Sequence, residues 1–342
     1  MNTTNTNGNG QPLKTLVQAV KYFTDLNAAH DFFAKMRWPD GPACPRCGSK
    51  DVSYSPKYRR FECSHSHDRR QFTVKTGTIM EDSPLGLDKW AAAFWLEVNA
   101  KNSVSSYEIH RALGITQKTA WFMLHRIRLA VKSKSFEKIG GNGEIVEADE
   151  TAIGGLSYNM HKAKREARIT GRGNVGKSIV MGLLQRHSKN VPISQVDTHP
   201  LPNIQYDTMR NIIHRAVAPG TEMHTDAYQA YRTLGPDFIH KFIDHHETYV
   251  RENVHVNGLE NFWSLFKRCI KGTHISVEPF HLAAYLDSEA FRFNLRDLND
   301  GERFMLALRG MSGKRLTYKA LIGALEGAPG SGKDAGNAGL PN

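Results

Sequence analysis

Two groups of residues in this 342-residue chain have the types and spacing to hold metal. The first lies in "CPRCGSKDVSYSPKYRRFECSHSHDRRQF", where Cys44 and Cys47 form a C-x-x-C knuckle and Cys63 sits near the far edge of a short hairpin. Zinc takes four thiolate or imidazole ligands in a tetrahedron, and two knuckles separated by a hairpin supply that geometry. With three cysteines present, the fourth ligand must be a histidine. His67 gives C-x-x-x-H and His65 the tighter C-x-H, and the longer reach is preferred. A redox C-x-x-C would want a thioredoxin-like βαβ setting, and nothing around this knuckle supplies one. A ribbon this small has little core, so one structural zinc ion would hold it folded.

The second group is built from oxygen. Asp149 follows the strand pattern of "GEIVEADET", Asp226 ends the strand in "TEMHTDAYQAY", and Glu260 lies in the apolar and basic helix "NVHVNGLENFWSLFKRCIKG". Two strand-end aspartates and a helix glutamate can converge on a pair of hard divalent cations, magnesium or manganese. Phosphodiester cleavage and strand transfer are commonly run on two such ions. Among 34 acidic residues the pattern does not choose its own members. Glu147 and Glu150 flank Asp149, Asn257 lies one turn before Glu260, and Lys267 lies two turns beyond it on the same face.

A third motif misleads. "GRGNVGKS", Gly171 to Ser178, fits the phosphate-loop pattern G-x-x-x-x-G-K-[ST] at every specified position. Such a loop must follow a buried strand and open a helix. Here a basic stretch without apolar periodicity precedes it, and the β-branched run "IVMGLLQR" follows it as a strand ending at Arg186. The expectation is a basic loop leading into a strand, with no nucleotide cofactor.

The elements that must position these groups fall into three textures. Residues 1–18 are polar and read as a disordered tail, 19–80 as a short helix and the ribbon, and 81–138 as a helical segment. Residues 139–312 form a mixed α/β region with a basic insertion near 157–176, and 313–342 read as a largely disordered tail. In "SVSSYEIHRALGITQKTAWFMLHRIRLAV", Ile109, Ala112 and Leu113 face inward on one helix, Gly114 permits a turn, and Thr116 caps a second helix. Ala120, Met123, Leu124 and Ile127 continue at helical spacing. This is the pattern of a DNA-binding helix-turn-helix, which would turn Gln117, Lys118 and Trp121 toward the major groove. Strands from 145 to 198, a helix at "IQYDTMRNIIHRAVAPG" and a further strand would suit a ribonuclease-H-like core. The net charge of +11 favours a polyanionic partner. No leader and no apolar run of about 18 residues is apparent, and a cytosolic protein without membrane contact is the simplest expectation.

"RWPDGPACPRCGS", "FTVKTGTIMEDSPLGLDKWAAAFWL", "VEADETAIGG" and "HVNGLENFWSLFKRCIKGTHISVEPFHLAAYLDSEAFRFN" occur in this order along the chain. Together they resemble the bacterial insertion-sequence transposases of the fifteen-ninety-five group, from about residue 20 to about 300. The resemblance implies a multidomain α+β chain: a zinc ribbon, a helix-turn-helix and a ribonuclease-H-like catalytic domain of the DDE type. It implies that Asp149 and Asp226 are catalytic and that Glu260 is the third metal ligand, since Lys267 follows it as a basic residue often does in such enzymes. Asn257 is the rival for that place. The implied activity is ATP-independent strand cleavage and transfer with two magnesium or manganese ions. The implied partner is double-stranded DNA, both the element's terminal inverted repeats and a target. Lys267 and Arg268 would contact its backbone. At least a homodimer is expected, associated with the bacterial nucleoid. This chain departs from the family pattern in "CSHSHD", where a second cysteine is usual, and at Ala152, where an aromatic residue is common.

Overall fold

The computed structural model describes residues 13–132, 138–154, 177–226, 231, 237–243 and 254–324. Helices α1 (Leu16–Phe23) and α2 (Leu26–Arg37) open the chain, capped by the side chains of Thr15 and Asp25. A three-stranded antiparallel sheet follows, from β1 (Val52–Ser55), β2 (Arg60–Cys63) and β3 (Gln71–Phe72). Next come α3 (Leu87–Asn99), α4 (Ser106–Leu113) and α5 (Gln117–Val131).

The α4–α5 pair is locally encoded. Ser105 and Glu108 close a capping box at the start of α4, Gly114 turns the chain at φ +59°, and Thr116 accepts from Thr119 N to start α5. Glycine takes that left-handed conformation without steric cost. Ile109 is buried as expected, whereas Ala112 is exposed and Leu113 half-buried. The inward face of α4 is therefore narrower than its apolar spacing suggests.

Beyond β4 (Ile139–Gly140) lies a five-stranded sheet with order β10-β9-β5-β6-β7. Its strands are β5 (Ile145–Ile153), β6 (Ser178–Gln185), β7 (Gln195–Leu201), β9 (Glu222–Asp226) and β10 (Ile239–Ile243). β5, β6 and β7 pair antiparallel, while β9 joins β5, and β10 joins β9, in parallel. Between β7 and β9 run α6 (Tyr206–Ala216) and the short β8 (Val217–Ala218), the latter paired with β4. Helix α7 (Asn257–Cys269) and α8 (Leu282–Asn294) follow the sheet, joined by a π-turn at Ile270–His274. The chain closes on α9 (Asp300–Arg309) and α10 (Tyr318–Leu321).

Strand alternation divides the sheet into two buried faces. Val146, Ala148, Met181, Leu183 and Met223 pack on one side with Met209 and Ile213 of α6. Ile153, Val180, Leu184 and Val196 pack on the other with Leu259, Phe262 and Trp263 of α7 and Leu286 of α8. A separate core joins the ribbon to α1–α5, with Phe23, Phe33, Trp90 and Phe94 at its centre.

That core also holds Phe304, Met305, Ala307 and Leu308 of α9. The C-terminal end of the 139–312 region thus returns to the N-terminal body instead of extending the sheet domain. Residues 313–324, expected to belong to a disordered tail, instead pack on the N-terminal body. Lys314 Nζ donates to the carbonyls of Leu129 and Ala130, both at 2.9 Å, and Tyr318 packs on α5. Periodicity shows that a helix has an apolar face but not which body that face will meet. Residues 171–176 of the phosphate-loop-like motif lie outside the described residues. Ser178, its last residue, starts β6.

Candidate active site and zinc site

The ribbon gathers its ligand atoms tightly. Sγ of Cys44, Cys47 and Cys63 and a ring nitrogen of His67 all lie within 4.8 Å of one another. This is the one such cluster of His, Cys, Asp or Glu among the described residues. Cys44 Sγ is 3.4 Å from His67 Nε2, and Cys47 Sγ is 3.6 Å from Cys63 Sγ. His67 Nδ1 bonds the carbonyl of Asp68 at 2.9 Å, which turns Nε2 toward the thiols. His65 points elsewhere, with Nε2 at 3.5 Å from Ser49 Oγ. Three thiols and an imidazole in this arrangement suit one structural zinc ion.

The carboxylates gather differently. Register pairs Ala148 of β5 with Thr225 of β9, so Asp149 and Asp226 are the next residues along two adjacent parallel strands. Both side chains are on the face opposite Val146, Ala148 and Met223, which is the face α7 covers. Trp263 of α7 donates its indole N–H to Asp149 Oδ2 at 3.1 Å. Gly182, the β6 partner of Asp149, makes this approach possible. A Cβ there would lie 2.6 Å from Trp263 Cζ2 and 2.7 Å from Leu259 Cδ2.

The structure separates the three neighbouring acids of β5. Glu147 is fully buried and committed: it accepts from Arg186 Nε at 2.7 Å and from the Leu259 amide at 3.0 Å. The same amide also donates to the Val256 carbonyl at 3.0 Å, so Glu147 shares it at the first turn of α7, where negative charge is favoured. Gly258 gives it room, because a Cβ there would lie 2.8 Å from Glu147 Oε2. Glu150 is engaged elsewhere and accepts the hydroxyl of Tyr231. Asp149 is left facing α7.

Asp149, Glu150, Glu260, Trp263, Lys267, Arg268 and Lys271 line one open groove. Glu260, Ser264 and Lys267 recur at helical spacing along the exposed side of α7, and Lys271 continues the row in the π-turn that follows. Asn257 is exposed at the first residue of that helix and is not part of the groove lining. Burial, then the nearby charge of Asp226, and more weakly that of Glu260, raises the Asp149 carboxyl to about 6. Burial likewise pushes Glu150 up to about 8, with Asp226 and Asp149 adding to it and the Tyr231 bond opposing. Acids that repel one another across a groove with all-oxygen donors make a place that a hard cation would relieve.

Of the residues expected to face DNA, Lys118 is exposed and lies 4.6 Å above the Tyr318 ring. Gln117 is half-buried, its amide bonded to Ser106 Oγ at 2.8 Å. Trp121 packs edge-on against His125 and His281, with centroids at 4.8 and 5.4 Å, so its ring is taken up between α5 and the start of α8. Sequence reasoning passed over Trp263, Gly182 and Tyr231, and named Glu147 only as a neighbour of Asp149. The first two carried a readable trace, since indoles seek a partner when buried and a glycine inside a strand marks a close approach.

A family model described as an ISXO2-like transposase domain matches residues 141–294, and one described as a transposase zinc-ribbon domain matches residues 25–69. An uncharacterized transposase-like protein of Haemophilus influenzae is 31% identical over 101 residues, covering 29% of this chain and 81% of the relative. The chain belongs to the ISXO2-like transposase family. An uncharacterized protein in transposable element ISH50 of Halobacterium salinarum is 25% identical over 277 residues, 78% of this chain and 90% of that one. Membership makes DNA the partner and DNA rearrangement the broad activity. The first family match spans β5 to α8 and so contains the carboxylate groove; the second contains Cys44, Cys47, Cys63 and His67. No described helix is long and apolar enough to cross a membrane.

Proposed function

We propose that this chain cuts and joins DNA by divalent-ion-dependent phosphoryl transfer, with Asp149, Asp226 and Glu260 as the catalytic carboxylates. The observation that carries this reading is that Asp149 and Asp226 follow the last paired residues of two adjacent parallel strands, with the Asp226 charge felt by Asp149 and with Asp149 and Glu260 lining one groove. Three antiparallel strands followed by two that join in parallel, with helices on both faces, support a ribonuclease-H-like core. Magnesium or manganese, when bound, supplies charge neutralisation and activation of oxygen at phosphorus. The protein's part is to fix where such ions go. Trp263 holds Oδ2 of Asp149 and so fixes the carboxylate beside the groove. Glu147 holds the first turn of α7 and with it the height of Glu260. Lys267, Arg268 and Lys271 offer positive charge to DNA phosphates beside the carboxylates, positioning the strand without reading its sequence.

The α4–α5 pair, read as a helix-turn-helix, and the ribbon would recognise the element's terminal inverted repeats. Lys118 is the base or phosphate contact of choice there. Two DNA ends must be joined, which calls for a homodimer or larger assembly. No nucleotide is required. The test is strand cleavage on a plasmid carrying the gene with its native flanks, with magnesium or manganese and without ATP. Wild type should cut at the flanks, and Asp149→Asn and Glu260→Gln should not. An active Glu260→Gln beside an inactive Asn257→Ala would give the third place to Asn257. Binding without cutting under either metal would leave a DNA-binding protein and defeat the catalytic reading.

A further inference from the structure

Ile275 stands in the connection between α7 and α8 with φ +64° and ψ −56°. Its neighbours close a three-residue turn, Ser276 N donating to the His274 carbonyl at 2.6 Å. This is the γ-turn of the rarer hand, which is strained for any residue with a Cβ. A β-branched side chain at positive φ is a genuine outlier. The same side chain is 82% exposed, the most exposed of the large apolar residues described. Single apolar residues on a surface are ordinary, and Val17, 76% exposed on α1, is one. Ile275 differs because glycine would adopt this backbone freely, while isoleucine adopts it and then buries nothing.

The surroundings hold the turn in place. Thr273 Oγ1 donates to the Asn102 carbonyl at 2.8 Å, tying the turn to the loop that precedes α4. The His274 ring is half-buried edge-on against Tyr285, with centroids 4.7 Å apart. Behind the turn, Lys267 and Arg268 on the exposed side of α7 and Lys271 in the π-turn line the carboxylate groove. Lys101 is exposed on the loop that Thr273 grips, and Glu278 is the acid nearest in sequence. The apolar tip therefore stands at the seam between the α4–α5 pair and the groove, at the end of a basic track.

We propose that Ile275 is a wedge that enters double-stranded DNA and unstacks a base step next to the site of cleavage. The inference rests on the reading of the groove as a DNA-cutting site. Positive charge along the track selects a polyanion, and an apolar side chain on a rigid turn is the means by which proteins open a base step that charge alone cannot. Strain stored at such a position is typical of sites where a fixed geometry serves a ligand. A second copy of this chain is the other occupant that an exposed isoleucine could suit, and the test separates the two.

The experiment uses the full chain with Asp149→Asn, to prevent cutting, and duplexes of the native flank carrying 2-aminopurine at successive positions. Fluorescence should rise at one step beside the cleavage position with Ile275 and not with Ile275→Gly. Ile275→Val should retain the rise. Affinity of the glycine variant should stay within about threefold, because phosphate contacts carry most of it. Its melting temperature should be no lower than that of the parent, since glycine relieves the turn. With the aspartate restored at 149, Ile275→Gly should cut less than the wild type. An equal fluorescence rise in the glycine variant would overturn the wedge. So would loss of self-association in sedimentation with DNA distortion unchanged, which would assign the tip to a protein contact. Failure of the parent to bind the flanks at all would instead strike the reading of the groove.

Discussion

The chain has two candidate metal sites, and they are built on opposite plans. The cysteine–histidine site draws its ligands from residues 44 to 67, on one small sheet, and brings every ligand atom within 4.8 Å of the others. The carboxylate site draws on residues 149, 226 and 260, and burial, with the charges of Asp226 and Glu260 nearby, raises Asp149 beside an open groove. A structural site is closed and holds its fold together, whereas a catalytic site must keep room for ions and substrate. The difference sets how each site should respond when it is broken.

The largest response should come from the ribbon. Cys63 has no exposure and belongs to the same core as α1–α5. Binding energy for a structural zinc is on the order of 10 kcal/mol and is folding energy for a domain of this size. Cys63→Ser, or chelation of the wild type, should remove one zinc per chain by atomic spectroscopy and lower the melting temperature by many degrees. A chain that keeps its near-ultraviolet circular dichroism after losing zinc would sink the structural role.

The carboxylate site should answer in two directions. Asp149→Asn should reduce flank cleavage at least about a thousandfold, roughly 4 kcal/mol of transition-state stabilisation. The same change should stabilise the metal-free protein. The Asp149 carboxyl sits at about 6, above its ordinary 3.8, so between those values the native chain holds a proton that the unfolded chain has released. Stability therefore falls as pH rises through that window and the loss is complete above about 6, with an upper limit of ~3 kcal/mol. Melting at pH 8 without divalent ions should thus be higher for Asp149→Asn than for wild type. Added magnesium should raise the wild type and leave the variant nearly unmoved. Equal melting of the two at pH 8 would mean that the charge is not strained.

How much of this could be read from residue order follows from the same contrast. Ligands close in sequence carry their spacing on the page, which is why Cys44, Cys47, Cys63 and a nearby histidine stand out. Gly114 and Thr116 are legible for the same reason, since a turn and a cap are local. β5 reads as a strand, yet alternation alone could not say which of Glu147, Asp149 and Glu150 faces α7. That choice depends on Gly182 admitting Trp263 and on Arg186 engaging Glu147. Trp121 had the right place for a DNA contact but lies against His281, more than a hundred residues away. The return of α9 to the N-terminal core was hidden likewise, because its apolar stripe fits either body.

A smaller effect should come from the residue that aims Asp149. Trp263→Phe keeps most of the ring that fills the space over Gly182 and removes the N–H bonded to Oδ2. Partners of this kind are worth about 10- to 100-fold in metal affinity. Manganese binding, followed by its electron paramagnetic resonance signal, should weaken by about that much, with melting in metal-free buffer little changed. Unaltered manganese affinity would reduce Trp263 to packing.

The smallest effect should be at His65, and its smallness is informative. His65 and His67 sit two residues apart at the same knuckle, and both reach toward it in sequence. Only His67 has a ring nitrogen among the thiols, at 3.4 Å from Cys44 Sγ, with its other nitrogen fixed by the Asp68 carbonyl. The contact of His65 is a 3.5 Å approach to an exposed serine, too long to hold much energy. His65→Ala should therefore retain its zinc and change stability by no more than about 0.5 kcal/mol. His67→Ala should lose the metal or bind it far more weakly. If the two variants instead lost zinc alike, either histidine could serve as the fourth ligand, and the ribbon would be a looser cage than its geometry implies.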